Sequence, residues 1–493
     1  MIIVSTSSTD TYITNKFVDG ISKTTANVGR SGTLDLFKLF NHPSAPALTT
    51  ELSRILIKFD YRKLSELVIQ NRINLNDMVS ILKLKSIIAG QSIPQNFTVS
   101  VFPLAKQFDE GIGRDIISFS DVDQANFLSS STNTSWNLTG SSLSGTLGDT
   151  NIDYYYQGDL LDGNGIQTFE ITQSFIDGDE DLEVNISKFV SASIAGNLTN
   201  HGFRISFSFN HESDQNNYFA KRFSSRHVKN SFQRPRIENY FNDFERDDRE
   251  LITFNSTGSL YLTNQIGGER TRFISGSSPV QGENCLLLTI STGSFETTFN
   301  VSESSYRQGT YFANVFVSSY DNSIVTGSIS LSQIIQASGS VTFHEKWTSL
   351  DQSVVFQSND LTINSSRVSQ GIFENFELSV FTSGPETGSK DSFVLIRPKF
   401  YDLVSQDRSS KFAFVKKPIP IKGTYRIVDN NTGEVYVDFN DLNQMSYDSN
   451  GNYFEIHTDS IPYGRVVNFE YKINYLGNER ILKDRNYTFR LGE

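Results

Sequence analysis

The chain carries a single cysteine in 493 residues, so no disulfide can form within it and its stability has to come from packing. That residue, Cys285, precedes the apolar run 286–288, the setting of a small buried hydrophobe. Histidine is also sparse. His42, His201, His211, His227, His344 and His457 are scattered, without the His-Glu-x-x-His spacing that puts two imidazoles on one helix face and without cysteines to complete a zinc set. A metal centre could then be assembled only from positions remote in the chain. No window approaches the roughly 18 consecutive apolar residues of a membrane-spanning helix. Residues 1–10 hold neither a charged leader nor a continuous apolar stretch, so neither membrane insertion nor export by a standard signal is expected. Basic residues are outnumbered: 43 Lys and Arg against 55 Asp and Glu give a formal charge of −12, which opposes a protein that holds nucleic acid through its overall field.

Motifs that carry chemistry are missing as well. Gly111 with Gly113, and Gly163 with Gly165, lack the Gly-Lys-Ser/Thr half of a phosphate-cradling loop, and no nucleophile elbow presents a serine. Asp109 with Glu110, or Asp121 with Asp123, are neighbours in turns. Glycoside hydrolysis instead needs two carboxyl groups about 5 to 9.5 Å apart across a cleft. No enzymatic activity is expected.

What is present is strand alternation. In 469–475, Phe469, Tyr471, Ile473 and Tyr475 point one way and Glu470, Lys472 and Asn474 the other, the period-two pattern of a sheet with one buried face. Segments 204–209 and 311–317 read similarly, and 39 Phe and 20 Tyr supply flat core side chains that suit sheets. A short helix is reasonable only within 64–79, where an Asn-rich stretch, 70–76, weakens it. The length predicts roughly two to four domains. The spacing of strands and turns predicts an all-β chain: a segment over 1–244 whose long connections cross between two sheets, an immunoglobulin-like sandwich over 245–346 and one or more sandwich modules over 347–493. Tight turns are expected at 430–433 and 448–451, which hold the Asn, Asp and Gly that tolerate positive φ.

The first segment resembles the jelly-roll modules called DNRLRE domains. The likeness rests on Asp10 with Tyr12 and Ile13, on 27–29, on RILIKFD at 54–60, on VFPLAKQFDEG at 101–111 and on Trp136. It closes with 223–226 and then Arg234, Pro235 and Arg236, with His227 where the family has glutamate and Ile237 where it has leucine. The C-terminal part is similar to modules of large virion proteins of tailed bacteriophages, through TYRIVDNNTGEVYVDF at 424–439 and MSYDSNGNYF at 445–454. The resemblance implies a virion component, assembled in several copies with itself and other virion proteins at the tail, neck or baseplate.

Three groups of side chains are candidates for ligand or partner contacts. Asp177, Asp179 and Asp181 alternate, as carboxylates do when one loop wraps a calcium ion, although Leu182 stands where such a loop turns on glycine. Apart from that calcium, no cofactor is expected. Tyr154, Tyr155 and Tyr156 are consecutive, so alternate rings face opposite sides of a strand and one could stack on a sugar, as could Trp136. Core packing is the alternative. Arg222, Arg226 and Arg234 lie in a basic, aromatic stretch that switches abruptly to the acids Asp243, Glu245, Asp247 and Asp248. This is read as a last strand and a linker whose arginines fork onto carboxylates of an adjoining domain or subunit. Function is then expected in surfaces: a non-enzymatic virion protein joining neighbours, with a module that binds host-surface glycans as the alternative.

Overall fold

The first strand, Ile2–Thr14, shows how the polypeptide builds sheets. Its register shifts between Ser7 and Thr9, and this irregularity bends the strand so that its two halves face different neighbours. Residues 2–6 pair with Arg236–Tyr240 and residues 7–14 with Thr50–Phe59, both antiparallel. The computed structural model describes residues 1–88, 93–267, 269–365, 378–402, 418–475 and 477–492. The chain divides into two compact units, one of Ile2–Leu67 with Leu75–Tyr240, the other of Met1, Val68–Asn74 and Phe241–Glu493. It is an all-β chain of several sandwich layers.

In the N-terminal unit, Arg236–Tyr240 continues outward to Val79–Leu84 and Leu182–Asn185. Thr50–Phe59 continues to Phe203–Phe207, Phe97–Pro103 and Ile171–Phe175. Phe97 stacks on Phe175 at 4.8 Å and meets Phe207 edge-on at 5.3 Å, so the phenylalanines of neighbouring strands fill the interior. Where the two outer strands approach, Gln173 donates to the Asp181 carbonyl and accepts from the Glu183 N–H, each at 2.7 Å. One side-chain amide thus substitutes for missing ladder bonds. The helix expected within 64–79 forms as Arg62–Ile69, with Leu64 and Leu67 buried, and is followed by a 3₁₀ turn at Leu75–Asp77.

The C-terminal unit holds two sets of sheets. One is six-stranded, in the order Thr257–Thr263, Thr310–Phe316, Phe295–Glu303, Leu286–Thr292, Ser340–Thr348 and Val355–Asn364. Leu286, Leu288 and Ile290 enter a core with Tyr311, Val315, Phe343 and Trp347, and Cys285 packs at its margin, only partly buried. The division expected after residue 346 falls inside Ser340–Thr348. That strand pairs on both sides, because its alternation of Val341, Phe343 and Trp347 runs through the boundary. The second set joins Gly423–Asp429 to Val466–Tyr475 and Asn478–Lys483, and Leu378–Ser383 to Phe393–Asp402 and Gly451–His457. Between them Tyr425 stacks on Phe454 at 3.9 Å and Phe454 meets Phe469 edge-on. Phe469, Tyr471 and Ile473 are buried, as their alternation predicts. The turns also form as expected: Asp429 accepts the N–H groups of Asn431 and Thr432, and Gly433 and Gly451 take positive φ.

Candidate functional site

Asp10, Asn27, Gly29 and Arg226, four of the residues that carry the jelly-roll resemblance, meet around one turn, 109–113. Asn27 donates to the carbonyls of Glu110 and Ala125, each at 2.9 Å, and accepts the Gly113 N–H at 2.8 Å. A Cβ on Gly29 would lie 1.9 Å from the Glu110 carbonyl oxygen and one on Gly113 1.8 Å from that of Asn27, so only glycine allows the two segments to close. Arg226 forks onto Glu110 with two bonds of 2.5 Å, and Nε2 of His227 lies 3.5 Å from the same carboxylate. Asp10, 1% exposed, accepts the Arg226 N–H at 2.7 Å and the Ser7 hydroxyl through Oδ2, while its Oδ1 is buried without a hydrogen bond. Burial raises the Asp10 carboxyl to about 7, with Glu110 adding to the rise and the Arg226 and Ser7 bonds opposing it. Such a carboxyl is tuned as a general acid would be, but it is sealed from substrate. The cluster acts as an internal clamp.

The arginines of the basic stretch pair within their own unit, which corrects the expectation of an adjoining domain or subunit. Arg222 shares its Nε–H between both oxygens of Asp35 at 3.1 Å, Arg226 forks onto Glu110, and Arg234 donates to the Val228 carbonyl at 3.4 Å. Phe223 and Phe232 are buried, so neither ring is available to stack on a base. Arg54 is likewise consumed by Glu212 (2.9 and 2.7 Å) and the Gly140 carbonyl.

Trp136 is 5% exposed, which removes it as a sugar platform. It packs with Ile13, Leu56, Leu104 and Phe108, and its indole N–H donates to the Asn126 carbonyl at 2.9 Å. Tyr154 lies under the Arg204 guanidinium, 4.6 Å from its ring. Tyr155 is partly buried and Tyr156 is 45% exposed. Of the four aromatics, Tyr156 alone is exposed.

The acidic loop at 177–181 is built around lysines rather than a metal. Glu180 accepts the N–H groups of Ile176, Asp177 and Gly178, and Asp181 takes Lys85 at 2.6 Å and the Ser86 N–H. The buried Lys221 ammonium donates to the Gly178 and Glu180 carbonyls (2.8 and 2.7 Å) and to Ser86 Oγ (2.6 Å). It also lies over the Phe175 and Phe223 rings. Burial lowers this lysine to about 8, against the opposing pull of Glu180, Asp181 and Asp179. Asp177 and Asp179 are exposed. The three aspartates are not gathered for calcium: among the described residues only Asp391, His457 and Asp459 bring three such donors within 4.8 Å of one another.

The acidic linker is a structural hub of the C-terminal unit, a role the sequence conceals. Glu245 and Asp247 exchange backbone bonds with Tyr447, so the linker lies beside the hairpin strand Ser446–Asp448. Arg307 meets Asp243 at 2.6 Å, Glu245 at 3.6 Å and Glu455 at 3.5 Å. Arg270 and the Tyr453 hydroxyl also bind Glu245, at 2.6 and 2.5 Å. Arg249 reaches the buried Glu345 at 2.5 Å, and Tyr447 donates to Asp248 at 2.7 Å. Burial works to raise Asp243, but the Met1 amino group and Arg307 hold it below the usual carboxylate range. A groove of about 520 Å³ elsewhere in this unit is lined by Lys422, Thr424, Asp441, Lys472 and Glu479 among others, and holds neither histidine nor cysteine.

No protein-family model and no curated protein matches the chain. Among solved structures it is similar to the plexin A4 extracellular region, at 9% identity and TM-score 0.11 over 41% of this chain and 26% of that one. It is also similar to a Salmonella α2-macroglobulin mutant, at 7% and 0.16 over 98% and 39%, and to E. coli α2-macroglobulin in its native conformation, at 9% and 0.13 over 99% and 35%. The chain thus spans about a quarter to two fifths of these proteins.

Proposed function

We propose that the chain is a non-enzymatic structural component of a multisubunit particle, joining neighbours through sandwich faces and strand edges. The resemblance of its C-terminal part to tailed-phage virion modules makes that particle a virion, with the tail, neck or baseplate as its place. The observation that carries the reading is the strand Val355–Asn364. Among the described residues it pairs on one side with Ser340–Thr348, its other edge is met only at Asn364, which bridges Thr253, and Val355 and the nearby Leu350 are exposed. An unpaired edge with apolar side chains beside it is a template for strand addition by a partner. The buried clamps support the same role, since they spend the charged groups on rigidity rather than on a cleft. Cross-linking mass spectrometry of purified particles tests this: cross-links should connect residues near 350–364 to a neighbouring subunit, and Val355→Lys should reduce incorporation. Absence of the chain from purified particles would refute it.

Tyr156 supports a second reading, a glycan-binding face on the strand Tyr154–Asp159. Trp136→Ala cannot test it, because that residue is in the core. Loss of glycan-array binding in Tyr156→Ala, with unchanged stability, is the outcome that would favour it.

A further inference from the structure

We infer that Asp391, His457 and Asp459 form a binding site for a divalent first-row transition ion of the zinc or manganese class. His457 ends the strand Gly451–His457, opposite Phe393 in the antiparallel pair. The Phe393 ring meets its imidazole edge-on at 4.9 Å, which fixes the orientation of a ring that is 1% exposed. Two exposed carboxylates face this buried ring. Nε2 of His457 lies 3.3 Å from Asp391 Oδ1, and the Asp391 N–H donates to Asp459 Oδ1 at 3.0 Å.

Both acids are held by backbone. The Ser392 N–H donates to Thr458 Oγ1 at 3.0 Å, and the Thr458 N–H returns a bond to the Ser392 carbonyl at 2.9 Å. This clasp sets the spacing between the turn that bears Asp391 and the 3₁₀ turn Thr458–Ser460 that bears Asp459. The donor atoms lie within 4.8 Å of one another, and a bound ion would draw the exposed carboxylates in to the roughly 2.0–2.2 Å that such ions require. Two carboxylates beside an imidazole are a donor set that suits a divalent cation. One nitrogen and two oxygens suit zinc, manganese or ferrous iron, whereas calcium prefers oxygen alone. A bound ion would cross-link the turn preceding Phe393–Asp402 to the end of its neighbouring strand. Because both acids are exposed, water would complete its shell.

The test uses the full chain stripped with a chelator, titrated with Zn²⁺ by calorimetry and with Mn²⁺ under electron paramagnetic resonance. The expected result is a single ion per chain, with nitrogen hyperfine coupling on Mn²⁺ from the His457 ring. Asp391→Asn and Asp459→Asn should each weaken Zn²⁺ binding at least about tenfold, the smallest loss seen even for outer-sphere partners. Both should leave the metal-free melting temperature within about 2 °C, as exposed substitutions do. His457→Gln should abolish the nitrogen coupling, and if that variant fails to fold the two aspartate variants still decide. Stoichiometric binding that survives either aspartate substitution, an Mn²⁺ signal without nitrogen coupling, or no binding at millimolar ion overturns the site.

Discussion

The two units bury acidic side chains in opposite ways. In the N-terminal unit Asp10 shares its neighbourhood with Glu110, whose oxygens take the Arg226 guanidinium, so Asp10 receives only a backbone N–H and a hydroxyl. Its carboxyl rises to about 7. In the C-terminal unit Asp243 has Arg307 and the Met1 amino group beside it and falls below its ordinary value. Asp247 stands between these cases. Burial raises it to about 6, against the pull of Arg249, a guanidinium that it shares with Glu345. Burial alone therefore does not decide the ionisation of these acids; the number of cations left over for each one does.

The sharpest way to break this comparison is Arg307→Ala, which leaves Asp243, Glu245 and Glu455 without a shared cation. Denaturant unfolding of the C-terminal unit should show a loss of about 5 kcal/mol, the upper end for removing one partner of a buried pair. A loss under about 1 kcal/mol would mean that the network is solvated.

Asp10 gives the next largest effect, and its sign is the reverse of the usual carboxylate. Because its folded pKa lies above its ordinary 3.8, the folded state holds the proton more tightly. Its contribution is fully present below about pH 4, declines as pH rises toward 7 and is gone above it, a span of about 4 kcal/mol. Asp10→Asn should flatten the pH dependence of melting and raise stability at pH 8. An unchanged pH profile would show that Asp10 is ionised in the fold.

Lys221→Met sharpens the contrast between a lysine-filled loop and a metal-filled one. It strands the Gly178 and Glu180 carbonyls and should cost about 3 kcal/mol, in the range for buried acceptors left unpaired. Calcium should not restore the loss; restoration would show that the loop is a cation site held by lysine. The smallest effect belongs to Tyr156→Ala, which should shift stability by no more than about 0.5 kcal/mol as an exposed substitution. A larger loss would place that ring in the packing of its unit.

The strand Val466–Tyr475 was legible because it presents one dry face. Phe469, Tyr471 and Ile473 alternate with Glu470 and Lys472 in sequence and in burial alike. Turns were legible for a local reason, since Asp429 and Gly433 satisfy their own backbone. What escaped the sequence depends on distant partners. Trp136 sits in a Ser- and Thr-rich stretch that reads as surface, and its neighbours Ile13, Leu56 and Leu104 come from other strands. The partners of the linker's acids escaped because Arg270 and Arg307 lie 25 and 64 residues from the carboxylates they meet. The helix Leu331–Ser338 was missed although its signal was local, a capping box of Ser330 with Gln333 hidden among many similar serines.

The bent first strand has a consequence for synthesis. Ile2, Ile3 and Val4 pair with Arg236–Tyr240, at the far end of the same unit, so a ribosome must deliver the whole unit before that pairing can form. At about 5–20 residues per second this leaves an apolar tip waiting for roughly ten seconds to a minute. During that interval a chaperone, or the same tip on a neighbouring nascent chain, competes for it.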